Sequence, residues 1–332
     1  MRALVTGGAG FIGAHLTEYL LERGHEVQVL DDLSTGRASN LAAVRDHERL
    51  TLRVGSILDK SLVDEMVAES DHVFHLAAAV GVRVIVAHPL ESLKVNLHGT
   101  ENVLDSVVRH RRRLLLASTS EIYGKNTADS LPEDSDRILG SPLLARWTYA
   151  AAKGLDEAMT YAHVEADGLE AVIVRLFNTV GPRQRGHYGM VVPGLIGQAL
   201  AGEPITIYGD GNQTRCFTHV VDVVPALAAL IDCPAAVGQA VNLGGALEIS
   251  INDLAYRIVT LLDSSSPIVH VSYAEAYGSG YEDMRRRVPD NTRAQRLVGF
   301  RPTTDLDTII TSVAESLIGE LIAVPAQLKA DR

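Results

Sequence analysis

Residues 3–16 read ALVTGGAGFIGAHL. A short apolar strand over residues 3–5 runs into a glycine-rich turn, and the turn opens a helix predicted over 11–23. Gly7, Gly10 and Gly13 stand where a dinucleotide site needs them. Glycines there let the chain turn tightly, let the backbone approach a pyrophosphate, and let helix and strand pack closely. The free N–H groups and dipole at the helix start, around Phe11 and Ile12, suit phosphate. Ile12, Leu16, Tyr19 and Leu20 share one face of that helix, and Gly24 closes it. The next strand, 26–30, alternates Val27 and Val29 and ends at Asp31 and Asp32. A carboxylate about twenty residues past the glycines accepts hydrogen bonds from the adenosine ribose and repels a 2′-phosphate. The expected cofactor is therefore NAD rather than NADP, although Arg37 lies nearby.

Outward from this stretch, strand and helix keep alternating. Strands are expected over 50–54, 72–76, 114–117 and 171–176, with helices over 89–109 and 149–167. Repeated units of this kind predict an α/β fold, a Rossmann-like doubly wound parallel sheet. After Phe177 the segments shorten and Gly and Pro become frequent. Residues 1–177 read as the cofactor-binding domain, and 178–332 mainly as a smaller C-terminal substrate-binding lobe, with part returning to the sheet. No repeat or low-complexity linker separates them, so a cleft between packed lobes is expected.

The chain has 332 residues, 46% of them hydrophobic, and a net charge of −11 from 30 Lys and Arg against 41 Asp and Glu. That balance argues against nucleic acid or an anionic membrane as partner. The run Arg109-His110-Arg111-Arg112-Arg113 reads as cations at a helix C-terminus, complementing its dipole. Two cysteines, Cys216 and Cys233, make neither a disulfide framework nor a metal spacing. With no leader-like segment and no membrane-length apolar run, a cytoplasmic setting and no metal are expected.

RWTYAAAKGLDEAM (146–159) puts Tyr149 and Lys153 four apart on one helical face. An ammonium beside a phenol lowers its pKa and makes a usable general base. Upstream, LASTSEIYG (116–124) ends an apolar strand in three hydroxyls and a carboxylate, groups that are costly to bury without partners. Ser118, Thr119, Ser120 and Glu121 are expected to await a substrate.

With VFHLAA (73–78) and STSEIYG (118–124), these stretches resemble the extended short-chain dehydrogenase/reductase family across nearly the whole chain. RLFNTVGPR (175–183), GNQTRCFTHVVDV (211–223) and GYEDMRRRVPD (280–290) are similar to its nucleotide-sugar branch. The resemblance implies a triad of Thr119, Tyr149 and Lys153. Tyr149 would take the sugar 4-OH proton as hydride passes to NAD, and Lys153 would also hold the nicotinamide ribose. It implies that His75, Leu76, Ala77 and Ala78 line the cofactor groove, that Asn96 supports the nicotinamide side, and that Ser56 and Ile57 lie by the adenine. Ser56 stands where many relatives carry Asp. In the second lobe it implies nucleotide-sugar contacts from Asn178, Arg185, Val191, Tyr208, Gln213, Arg215 and Arg287. Homodimers, formed through the helices 89–109 and 149–167, are also usual in the family.

Thr-Ser-Glu at 119–121, followed by Arg287-x-Pro289, resembles the UDP-glucuronate decarboxylases (UDP-xylose synthases). Oxidation at C4 of a uronic acid gives a β-keto acid that can lose CO₂. Ser120, Glu121 and Arg287 would then orient the carboxylate and organise proton transfer. Glu121 has a second reading, as a residue fixing a backbone loop, which keeps a UDP-sugar 4-epimerase open. A glucose-type 4,6-dehydratase is disfavoured because Ser120 replaces the usual Asp, a far stronger acid. A non-catalytic NAD-binding protein would be expected to lose the Tyr149/Lys153 pair.

Overall fold

The computed structural model describes residues 1–81, 85, 87–186, 189–277 and 282–323. The chain begins β1 (Arg2–Thr6), α1 (Phe11–Glu22), β2 (Glu26–Asp31), β3 (Leu50–Val54), α2 (Lys60–Ala68), β4 (His72–His75) and α3 (Pro89–His110). It continues through β5 (Arg113–Thr119), α4 (Thr148–Asp167) and β6 (Ala171–Leu176). These strands and β11 (Ala240–Leu243) form a seven-stranded sheet in the order β11-β6-β5-β4-β1-β2-β3. Every pairing in it is parallel.

Alternation along β1 explains the two helical layers. Ala3 and Val5 point into a core with Leu16 and Leu20 of α1 and with Leu227 and Leu230 of α6 (Val220–Ile231). Leu4 points the other way, into a core with Val63 and Val67 of α2 and with Val103 and Val107 of α3. Asp59 starts α2 by accepting the Ser61 and Leu62 N–H groups, an N-cap whose signal lies in the sequence. The strand order reverses between β1 and β4, so the glycine turn and residues 76–80 meet at the switch point, where α/β sheets bind ligands.

β11 pairs with β6 from Ala240↔Ile173 to Leu243↔Leu176, so the chain recrosses to the large sheet after residue 177. The rest of the C-terminal region pairs β7 (Thr179–Val180) with β10 (Thr218–His219) and β8 (Ile205–Tyr208) with β13 (Ile268–Val271). It also pairs β9 (Thr214–Cys216) with β12 (Glu248–Ser250). Its own core joins α5 (Val191–Ala201), α7 (Ile251–Leu261) and α10 (Leu306–Ala323) through Ile196, Leu254, Ile258 and Ile310. Two shorter helices, α8 (Tyr273–Tyr277) and α9 (Thr292–Val298), complete the described fold.

One expectation changes in detail. β5 does not stop at Ala117: Ser118 and Thr119 pair with Arg175 and Leu176 of β6, so the hydroxyls belong to the strand. The basic run closes α3, with Arg109 and His110 in its last turn as expected, and two of its arginines also meet carboxylates, Arg109 on Asp64 at 2.7 Å and Arg113 on Glu170. Arg111 takes a left-handed conformation (φ 51°), and Arg112 donates to the Ala68 carbonyl at 2.6 Å.

Candidate active site

A cavity of about 580 Å³ runs from the glycine turn across the C-terminal ends of β1, β4 and β5 to the second lobe. Gly7, Gly10, Phe11, Ile12, Gly13, Asp31, Asp32, Ile57, Leu76, Ala77 and Ala78 all line it. Gly7 has φ +72°, and a Cβ there would lie 2.8 Å from the Ala77 nitrogen. A Cβ on Gly13 would lie 2.2 Å from the Gly7 carbonyl oxygen, so only glycine lets α1 start this close to the turn. The helix opens at Gly10 with no side-chain cap, leaving its first N–H groups for an anion. The Asp31 carboxylate accepts the Ala9 and Leu33 N–H groups at 2.9 and 2.8 Å, which aims it into the cavity. The Arg37 guanidinium turns instead to Glu320 at 3.0 Å. Glycine cradle, uncapped helix and fixed carboxylate together fit NAD.

Beyond the cofactor arm, β5 delivers Ser118 and Thr119, the turn after it Ser120 and Glu121, and α4 Tyr149 and Lys153, all to the same wall. Their partners differ. Ser118 is structural, a correction to the expectation that all four await a substrate. Its hydroxyl donates to Glu157 at 2.5 Å, and Glu157 holds Arg175 through bonds of 2.7 and 3.0 Å. Arg175 donates to the Tyr123 hydroxyl, which donates to Asn242. This buried network fixes the strand end from behind. Thr119 caps the short 3₁₀ turn Ser120–Tyr123 by accepting the Glu121 N–H at 3.2 Å.

The Tyr149 phenol departs from expectation. Burial and the charges of Glu121 and Asp156 raise its pKa well above the ordinary tyrosine value. The Lys153 ammonium pairs with Asp156 at 3.2 Å.

Past Thr119 lies a ladder of alternating charge. Arg215 donates to Asp283 at 3.0 Å, Asp283 lies 3.6 Å from Arg146, and Arg146 donates to Glu121 at 2.7 Å. Arg287 follows, 3.9 Å from Glu121, donating to the Ser120 hydroxyl at 3.2 Å and to Asn178 at 3.1 Å. Burial opposes ionisation of Glu121, but Arg146 and Arg287 outweigh it and hold the carboxylate below its usual range. Burial, with the Arg215 charge, pulls Arg287 down to about 10, and its Nε is buried without a hydrogen-bond partner among the described residues. Three cations face two anions, so the ladder carries a positive surplus beside Ser120. Sequence reasoning missed Arg146 and Asp283, whose pairing joins distant segments. The only available signal for Arg146 was its place three residues before Tyr149.

Other expected residues fall as follows. Asn178, Arg185, Val191 and Arg287 line the cavity. Asn96 does not: it is buried and brackets Ala79, accepting its N–H at 2.9 Å and donating to its carbonyl at 3.2 Å, so it supports the groove from behind. His75 is buried between the Thr6 and Thr100 hydroxyls at 2.8 and 3.1 Å and is also off the lining. Ser56 spends its hydroxyl on the Leu58 N–H at 3.2 Å, while its neighbours Gly55 and Ile57 form the wall. Tyr208, Gln213 and Arg215 lie behind the described lining. Gln213 donates to the Tyr208 carbonyl at 3.1 Å, and Arg215 donates to Asp283 at 3.0 Å while its charge also acts on Arg287. Gly280 and Tyr281, in the motif that holds Arg287, lie outside the described residues.

A glycine-cradled dinucleotide groove joined to a Tyr/Lys helix defines an NAD-dependent enzyme of Rossmann type. The NAD dependent epimerase/dehydratase family matches residues 3–244, well over half of the chain, and the protein belongs to that family. A UDP-N-acetyl-alpha-D-glucosaminuronate decarboxylase of Bacillus cytotoxicus is 41% identical over 306 residues, 91% of this chain and 92% of the relative. UDP-glucuronic acid decarboxylase 1 of Xenopus tropicalis is 39% identical over 92% of this chain and 69% of its own. A UDP-glucose 4-epimerase of Thermotoga maritima, solved with UDP-glucose, superposes with TM-score 0.86 at 28% identity, over 97% of this chain and 100% of the other. A dTDP-glucose 4,6-dehydratase of Streptomyces venezuelae, solved with NAD and TYD, gives 0.88 at 29%, over 98% and 99%.

Proposed function

We propose that the protein decarboxylates UDP-glucuronate through a 4-keto intermediate, giving UDP-4-keto-pentose, UDP-xylose or both. The carrying observation is the buried, positively charged end of the ladder at Arg287, Ser120 and Glu121, next to Thr119 and Tyr149. Both decarboxylase relatives act on UDP-uronic acids by name, which supports the same class here.

Bound NAD supplies the two-electron oxidation at the sugar's C4, its reversal, and a positive ring that favours the Tyr149 phenolate. Gly7, Gly10, Gly13 and Asp31 would hold it, with Lys153 at its nicotinamide ribose. Thr119 and Tyr149 hydrogen-bond the 4-hydroxyl, and Tyr149 takes its proton. The resulting ketone lies β to the C6 carboxylate. The C5–C6 bond then breaks, CO₂ departs, and the bonding pair enters a C4 enolate. Ser120 and Arg287 orient the carboxylate before it leaves, and Glu121 with Arg287 directs proton delivery to C5. Residues 178 onward supply most nucleotide-sugar contacts, with Asn178, Arg185 and Val191 at the wall. The two cysteines are free, in keeping with a cytoplasmic setting.

A homodimer would use the outer faces of α3 and α4, where Leu90 and Leu155 are exposed. Sedimentation at the monomer mass would refute it.

The function is tested by offering UDP-glucuronate, its 2-N-acetyl counterpart and UDP-glucose in turn. CO₂ and a pentose nucleotide from UDP-glucuronate, abolished in Tyr149→Phe, are expected. UDP-galacturonate without CO₂, or turnover of UDP-glucose alone, would replace this reading with a 4-epimerase.

A further inference from the structure

The segment that carries Arg287 is anchored by a contact the reaction above does not use. Glu282 precedes Asp283 and Arg287 on this segment and accepts the indole N–H of Trp147 at 3.0 Å. Trp147 is 2% exposed and follows Arg146 in the 3₁₀ turn before α4. Two consecutive residues of the turn thus meet two consecutive residues of the segment, for Arg146 lies 3.6 Å from Asp283. Gly140 closes over the indole contact, and a Cβ there would collide with both the indole Nε1 and the Glu282 carboxylate. The far end of the segment is fixed by main chain. The Leu131 N–H donates to the Val288 carbonyl at 2.9 Å, and the Asp290 N–H donates to the Leu131 carbonyl at 3.3 Å. Arg287 stands between these two anchors.

The indole bond is the stronger part of the first anchor. Lys125 also reaches Glu282, at 3.2 Å, but these side chains are 41% and 38% exposed, and exposed pairs contribute little. A buried N–H left without an acceptor is costly, so Trp147 fixes where Glu282 sits. Arg287 needs that support. It donates to the Ser120 hydroxyl at 3.2 Å and to Asn178 at 3.1 Å, while its Nε has no hydrogen-bond partner among the described residues. Thr119 is paired in the large sheet and Tyr149 stands on α4, so neither is carried by this segment.

We propose that Trp147 and Glu282 are positioning residues for the loss of C6. Their hydrogen bond sets the segment that brings Arg287 to Ser120, and so governs decarboxylation while C4 oxidation stays with Thr119, Tyr149 and Lys153. Neither residue exchanges a proton with the substrate. The inference rests on the decarboxylase reading above.

Single turnovers of the NAD complex with UDP-glucuronate labelled with ¹³C at C6 separate the two steps. NADH absorbance reads C4 oxidation, and ¹³CO₂ in quenched samples reads loss of C6. Trp147→Phe removes the donor and keeps a ring, and Glu282→Ala removes the acceptor. In both, the CO₂ step should slow by about 10-fold or more, with NADH formation within about three-fold of wild type, so that NADH appears before CO₂. Glu282→Gln keeps an acceptor and should release CO₂ within about three-fold of wild type. The double variant Trp147→Phe/Glu282→Ala should be no slower than the worse single one. CO₂ release at the wild-type rate, both steps slowed by one factor, or Glu282→Gln as slow as Glu282→Ala overturns the proposal. If neither Trp147→Phe nor Glu282→Ala folds, the contact is structural and the proposal fails. Wild type that releases no ¹³CO₂ refutes the decarboxylase reading itself, and this inference with it.

Discussion

Glu121 and Arg146 form a 2.7 Å ion pair in which the Arg146 side chain is 4% exposed and Glu121 17%. Arg146 lies in the 3₁₀ turn Ala145–Trp147 that leads into α4, so the helix carrying Tyr149 is tied to the end of β5. Glu121 therefore touches both a structural partner and the cavity. It fixes a loop through Arg146, and it faces the cavity beside Arg287.

Arg146→Gln should therefore damage both. Removing one partner of a buried pair costs about 3–5 kcal/mol of stability, read as a lower denaturation midpoint. Misplacing Glu121 should lower kcat by roughly 10²-fold, with NAD affinity within a few-fold of wild type. Wild-type kcat in Arg146→Gln would show that the pair does not position Glu121.

Asp31 accepts two backbone N–H groups and still lines the cofactor groove. Asp31→Ala should weaken NAD by roughly 10–100-fold, the loss expected for hydrogen bonds to a charged group. NADP should be affected less, because the repulsion of its 2′-phosphate goes too. Fluorescence titration with both cofactors checks this, and an equal loss for both would be the contrary result.

Acid stability follows from His75, which burial holds neutral down to about 3 against an ordinary value of 6.5. Between those values the unfolded chain binds a proton that the folded chain refuses. Stability from this group is complete above 6.5 and falls as pH drops, by about 1.4 kcal/mol per unit within the window. His15, driven down to about 4 by burial and Arg183, adds to the fall. Denaturant midpoints measured at pH 7, 6 and 5 should decline, and His75→Asn should flatten that slope. An unchanged slope would place the acid sensitivity elsewhere.

What the sequence discloses here depends on how local each signal is. The glycine turn, Asp31 and the Tyr149/Lys153 spacing lie within single βα units, so both the sheet and the cofactor groove are legible from them. The end of β5 is legible in position but not in role, because Ser118 is claimed by Glu157, 39 residues away. Asn96 and Ser56 are polar residues near the groove that bond to backbone of Ala79 and Leu58, and nothing in their spacing reveals that. The ladder from Arg215 to Arg287 unites four separate segments, and only tertiary packing brings Asp283 to Arg146 and Arg215. The i,i+4 spacing of Tyr149 and Lys153 does not disclose that Asp156, at i+3 from Lys153, pairs with that ammonium.

The central claim is that C4 oxidation sets up loss of C6. UDP-glucuronate labelled with ¹³C at C6, incubated with the protein and NAD and followed by NMR, tests it directly. The account predicts that label leaves the sugar nucleotide as ¹³CO₂ while unlabelled pentose or 4-keto-pentose nucleotide accumulates in equal amount. Label retained in a hexuronate of altered C4 configuration, with no ¹³CO₂, would contradict it.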